Sequence, residues 1–194
     1  MKTRLEEHYH KNIHPNMVEK FNYKNKFEVP KLTKVVINIG VGEGGDRLVN
    51  AENVLEMVTG VKPQRTLGKI QNRDLKVRVG APIGCKATIR NSDKIKQFLT
   101  DAFSCRENLI PSWNFDREGN LSFGVRDYTD FPGQKYDPDI GIYGMDITVV
   151  LERPGHRVSR RRRAKRKVPA SHKVTADESR SWFANNFNIE ILEE

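Results

Sequence analysis

"LKVRVGAPIGCKATIR", residues 75–90, holds the choice between two fold classes. Leu75, Val77 and Val79 alternate with Lys76 and Arg78. Past the turn residues "GAPIG", Cys85, Ala87 and Ile89 alternate with Lys86, Thr88 and Arg90. Successive side chains of a strand point to opposite faces of its sheet, so a period of two marks a half-buried strand. Two such runs around a Gly/Pro turn predict an antiparallel hairpin. One face of it is apolar and packs on a core. The other carries Lys76, Arg78, Lys86, Thr88 and Arg90, a basic sheet face.

Upstream, "KVVINIG" (34–40) is β-branched and reads as a strand, with Asn38 on the same side as Lys34 and Val36, a polar residue expected to point from the apolar side. "GVGEGG" follows, and then a helical face of Leu48, Ala51, Leu55 and Val58 that ends on Gly60, a C-cap. Gly40, Gly42 and Gly45 thus fall in a strand–turn–helix, where a dinucleotide fingerprint would stand. An acid to hold a ribose is then expected about twenty residues on. The chain there reads "GVKPQRTL". With a hairpin following, a nucleotide-dependent oxidoreductase is the lesser alternative, and the glycines serve the turn.

Further along, Ser92 is read as the cap of a helix that buries Ile95, Phe98, Leu99, Ala102 and Phe103. "LSFGVRDY" and "MDITVVLER" read as strands, the second with Met145, Ile147, Val149 and Leu151 on one side. Asp137 and Asp139 in "YDPDIG" suit Asx-type turns better than an acid–base pair. Thr175 and Glu178 form a capping box ahead of Trp182 and Phe183. Leu5, Tyr9, Ile13, Met17 and Phe21 recur at helical spacing, interrupted by Pro15.

The 194 residues carry a net charge of +9, and "RVSRRRRAKRK" (157–167) supplies eight cations and no acid. These are Arg157, Arg160, Arg161, Arg162, Arg163, Lys165, Arg166 and Lys167. Such a run is expected to be disordered when free, because its like charges repel. On nucleic acid it gives affinity through phosphate contacts, without sequence preference. A sequence pI near 9.6 points the same way. No run of about 18 apolar residues predicts a membrane span, and the N-terminus lacks a secretory h-region. Cys85 and Cys105 do not form a zinc motif, and their scarcity suits a reducing compartment. His10 and His14 read as surface residues beside Pro15. No catalytic motif emerges, and no cofactor is expected.

"KVVINIGVGEGGDRL", "TGVKP", "APIGCKATIR", "NLSFGVRDY" and "YDPDIGIYGMDITVVLERPG" resemble, in order, the family of the universal large-subunit ribosomal protein five, numbered eleven in eukaryotes. The segment from "YDPDIGIYG" to "SHKVTADESRSWF" is closest to its archaeal and eukaryotic branch, "FNYKNKFEVPKLTK" to the bacterial style. An archaeal ribosome is the first expected source and an organellar one the second. The resemblance implies an α+β fold: a curved antiparallel sheet with helices packed on one face, here with a basic C-terminal extension. The expected division is 1–155 for the RNA-binding domain, 156–174 for the extension and 175–194 for a capped helix and tail.

The resemblance also implies 5S rRNA on the open face, in the central protuberance of a cytoplasmic ribosome. Asn38, Thr88, Arg90 and the "GEGGD" region with Gly42 become rRNA contacts, joined by Lys34, Lys76, Arg78, Lys86 and the arginine run. Large-subunit rRNA and neighbouring central-protuberance proteins are further partners. The loop at 64–74 would reach P-site tRNA through Arg65, Lys69, Gln71, Asn72 and Arg73. A subunit bridge to small-subunit ribosomal protein thirteen is expected too. Val61 stands where the bacterial pattern has Gln, which removes one polar contact. A general RNA chaperone is the other alternative.

Overall fold

The computed structural model describes residues 9, 13–25, 27–187 and 189–192. Leu5 and His10 lie outside them. Five strands form one sheet: β1 (Lys31–Gly40), β2 (Gln64–Leu67), β3 (Pro82–Ile89), β5 (Leu121–Val125) and β6 (Met145–Glu152). Their order is β2-β3-β1-β6-β5, and every neighbouring pair is antiparallel. The fold is therefore α+β, as expected. The glycine turn does join β1 to a helix, α2 (Asp46–Thr59), and then to β2. But β3 lies between β1 and β2, so this is not the parallel doubly wound sheet that a dinucleotide fingerprint serves.

Alternation decides which side of the sheet is buried. Val35, Ile37, Ile39, Cys85, Ala87, Ile89, Ile147 and Val149 are at most 2% exposed. On that side α2 buries Leu48, Ala51, Val54 and Leu55. Its C-cap Gly60 has φ 60 and donates to the Glu56 carbonyl, the left-handed stop that its sequence predicts. Helix α3 (Ser92–Ser104) buries Ile95, Phe98, Leu99, Ala102 and Phe103, the five residues expected. Its cap is Asn91 and not Ser92: Asn91 is extended, and its side chain accepts from the Asp93 N–H at 3.0 Å.

The terminal segments close the core. Helix α1 (His14–Phe21) carries Pro15 in its first turn, where a missing N–H costs nothing, and buries Met17. Helix α5 (Ala176–Phe187) starts with the capping box: Thr175 N–H donates to Glu178 Oε2 at 2.9 Å, and Glu178 N–H to Thr175 Oγ1 at 3.4 Å. Trp182 and Phe183 are buried. The Phe103 ring lies 5.3 Å from Phe123 and 6.4 Å from Phe183, tying α5 to α3 and β5. A short parallel pair, β4 (Leu109–Pro111) with β7 (Glu190–Leu192), completes the structure.

The second half of the expected hairpin is correct and the first is not. The partner of β3 is β2, with Gln64 opposite Lys86 and Arg65 opposite Cys85. Residues 75–79 form no strand; they belong to a projecting hairpin, 68–81. Local turn chemistry outweighs the alternation there. The Asn72 side chain accepts from the N–H groups of Asp74 and Leu75 at 2.9 and 3.2 Å, and Lys76 takes φ 53. Asn72 and Val77 then pair through both backbone bonds, at 3.0 and 2.9 Å. Leu75 and Val79 stay 70% and 65% exposed, so their alternation packs on nothing.

Candidate nucleic-acid interface

The side of the sheet away from the helices is built by the second half of each alternation. Across the strands one row runs Gln64, Lys86, Asn38, Asp146, Gly124. The next runs Thr88, Val36, Thr148, Ser122, with Ser122 Oγ and Thr148 Oγ1 3.2 Å apart. Lys34 follows, opposite Val150. Asn38 therefore stands on the open side and not the apolar one: Val35, Ile37 and Ile39 take the core positions. Arg90 is exposed just past the end of β3. Lys34, Asn38, Lys86 and Thr88 are thus brought onto one surface by β1 and β3.

The face is not uniformly basic. Asp146 enters it from β6, beside Asn38, and Glu152 stands at the end of the same strand. Asp146, Thr148 and Ser122 are not among the expected contacts, although the alternation that buries Met145 and Ile147 already sends Asp146 and Thr148 to the other side. Gly42 sits in the turn beyond β1 with φ 83 and donates to the Ile83 carbonyl at 2.8 Å. The neighbouring helix start is held by protein contacts. Arg47 pairs with Glu43 at 2.6 Å, and the Arg47 carbonyl accepts from the Tyr143 hydroxyl at 2.9 Å. Asp137 makes the expected Asx turn, accepting from the Asp139 N–H at 3.0 Å. Val61 packs against the core and donates its N–H to Thr59 Oγ1.

The projecting hairpin collects Lys69, Gln71, Asn72, Arg73, Lys76 and Arg78, all exposed. Lys76 and Arg78 thus leave the sheet face and join the loop set. Arg65 leaves that set: it lies in β2 on the helix side, where its Nε and Nη2 donate to the Glu52 carboxylate at 2.6 and 3.0 Å. That fork of hydrogen bonds holds the Glu52 carboxyl below its ordinary range.

The arginine run is no free thread. Arg157–Arg160 form one helical turn, α4, and the chain folds back until Arg166 N–H donates to the Val158 carbonyl at 3.2 Å. Arg161 Nε donates to the Ala164 carbonyl at 2.9 Å. The excursion, 154–174, is closed at its base. His172 Nε2 lies 2.8 Å from the Pro154 carbonyl, and Arg153 donates to the Ser171 carbonyl. Two carboxylates hold its roots, Glu152 on Arg160 and Glu118 on Lys173. These contacts anchor the two ends of the excursion. Arg161, Arg162, Arg163, Lys165, Arg166 and Lys167 remain exposed along it. A cavity of about 280 Å³ lies between the excursion and the open face, lined by Lys34, Ser122, Thr148, Glu152 and Arg160 among others.

No described helix is long and apolar enough to cross a membrane. Among the described residues, no three His, Cys, Asp or Glu gather to hold a metal ion.

Comparison with known proteins gives the family. The family described as ribosomal protein L5 matches residues 25–78, and the ribosomal L5P family C-terminus matches residues 82–177. The large ribosomal subunit protein uL5 of Methanosphaera stadtmanae is 44% identical over 86% of this chain and 99% of its own length. That of Methanococcoides burtonii is 46% identical over 86% and 98%, and that of Thermoplasma volcanium 45% over 87% and 99%. With both family regions matched in order along the sequence, the chain belongs to the uL5 family of large-subunit ribosomal proteins.

Proposed function

We propose that this chain is a structural, non-catalytic constituent of the large subunit of a cytoplasmic ribosome. Its open sheet face binds 5S rRNA and helps attach it in the central protuberance, beside large-subunit rRNA and neighbouring proteins. One observation carries the reading: β1 and β3 set Lys86 opposite Asn38, with Thr88 and Lys34 on the same surface. Ammonium groups there meet phosphates, while the amide and hydroxyl meet sugar and base edges. The excursion adds sequence-independent charge.

The projecting hairpin is the part suited to P-site tRNA, since Lys69, Gln71, Asn72, Arg73, Lys76 and Arg78 stand clear of the sheet. A bridge to small-subunit ribosomal protein thirteen belongs to the same reading, which assigns no residues to it. The test of the face is a double reversal, Lys86→Glu with Arg90→Glu. Binding to 5S rRNA should weaken at least about tenfold with an unchanged thermal melt. Undiminished binding would remove the face from the account, and equal binding to any RNA would favour a general chaperone.

A further inference from the structure

The open face is electrically divided. Its β1–β3 half carries Lys34 and Lys86, whereas Asp146 and Glu152 stand on β6. Beyond β6, Glu118 faces the returning excursion. Glu152 and Glu118 hold Arg160 and Lys173, cations near the two ends of the excursion. The Glu152 side chain is only 12% exposed, while that of Arg160 is 53% exposed. The carboxylate is fixed in the fold, and the guanidinium covers it. Lys31 stands opposite Glu152 in the strand register, and the His156 Nδ1 is 4.0 Å from its carboxylate.

We propose that Glu152, seconded by Glu118, is a specificity-determining residue of the RNA-binding face, acting against RNAs that do not fit. This rests on the reading of that face given above. A phosphate that takes Arg160 uncovers Glu152 and then sits beside a like charge. An RNA backbone laid indiscriminately over the excursion and β6 meets that penalty. One that follows the β1–β3 half does not. The carboxylates thus lower affinity for RNA in general more than for the cognate RNA, and the excursion can carry many arginines without binding every RNA equally.

The experiment measures binding of the full chain to a 5S rRNA transcript and to an unrelated double-stranded RNA of equal length, across a salt series. Glu152→Gln should raise affinity for the unrelated RNA about three- to tenfold and steepen its salt slope by about one. Affinity for 5S rRNA should change less, so the preference falls. Adding Arg160→Gln to Glu152→Gln should abolish the gain. Unchanged or weaker binding of the unrelated RNA by a folded Glu152→Gln chain would overturn the proposal, as would a gain that survives the double substitution. Glu118→Gln must move the preference in the same direction, and it decides the matter should Glu152→Gln fail to fold. A wild-type chain that prefers 5S rRNA while both variants leave the preference intact sinks this proposal alone. A wild-type chain without preference sinks the open-face reading with it.

Discussion

Arg153 and Glu178 form a buried ion pair, 2.5 Å between Nη2 and Oε1, that joins the end of β6 to the first turn of α5. The two side chains are 7% and 10% exposed. Glu178 Oε1 also accepts from the Tyr23 hydroxyl at 2.6 Å, and Oε2 closes the capping box. The Arg153 guanidinium lies 5.4 Å from the centre of the Tyr23 ring. One carboxylate therefore gathers the N-terminal segment, the sheet and the C-terminal helix at the base of the excursion.

Removing that carboxylate should leave Arg153 as a buried, unpaired charge. Glu178→Ala is expected to cost about 3–5 kcal/mol, read as a lower urea midpoint. Thr175→Ala, which takes away only the other half of the cap, should cost about 1 kcal/mol. Equal losses from the two substitutions would mean that Glu178 acts as a cap alone.

Stability should fall on the alkaline side. Burial pushes the Cys85 thiol from its ordinary 9.0 up to about 11 and the Tyr9 hydroxyl from 10.0 up to about 12. The Tyr23 hydroxyl is raised as well, by burial and then by Glu178. Each group stays neutral longer in the folded chain than in the unfolded one. Their contribution is complete below pH 9 and is lost as pH rises through 9 to 12. Urea midpoints should be flat from pH 7 to 8.5 and decline above 9, and a thiol reagent should modify Cys85 only as fast as the chain opens. Rapid labelling of Cys85 in the folded protein would contradict this.

Gly84 stands where two backbones approach. A Cβ there would lie 2.8 Å from the Ile39 carbonyl oxygen and 3.0 Å from Thr66 Oγ1. Gly84→Ala should cost about 1–3 kcal/mol and loosen β2 from β3. Faster amide exchange at residues 64–67 would report it, whereas an unchanged melt would mean that the strands part at no cost.

The projecting hairpin should be dispensable to the fold. Ile70 is 79% exposed, Leu75 70% and Val79 65%. Replacing residues 70–79 by a short glycine turn should change stability by less than about 1 kcal/mol. It should spare 5S rRNA binding while reducing tRNA binding. Lost 5S rRNA binding in a folded truncation would move part of the recognition from the sheet into the hairpin.

How far the sequence could be read follows from what each element packs against. Strands β1, β3, β5 and β6 were legible because each buries alternate residues, such as Val35, Ile37 and Ile39. Strand β2 was hidden: Gln64 and Thr66 are polar, and Arg65, on the helix side, is matched to Glu52. Residues 75–79 misled for the opposite reason, carrying alternation with no surface to bury. The parallel pair β4 and β7 is three residues long and joins distant segments, so no local pattern announces it. Lys34, Asn38, Lys86 and Thr88 were legible as a set because a period of two fixes their side. The hold of Glu152 on Arg160 was not, since it depends on how the chain turns at Pro154 and Gly155.

In the proposed function the sheet face specifies the RNA and the excursion supplies charge. That division is tested most directly by neutralising Arg161, Arg162, Arg163, Lys165, Arg166 and Lys167 to Gln, which leaves the base of the excursion intact. The affinities for 5S rRNA and for an unrelated RNA of equal length are then compared across a salt series. The salt slope should be shallower by up to about five, with the preference for 5S rRNA retained. Loss of the preference with those charges would contradict it and place recognition in the excursion itself.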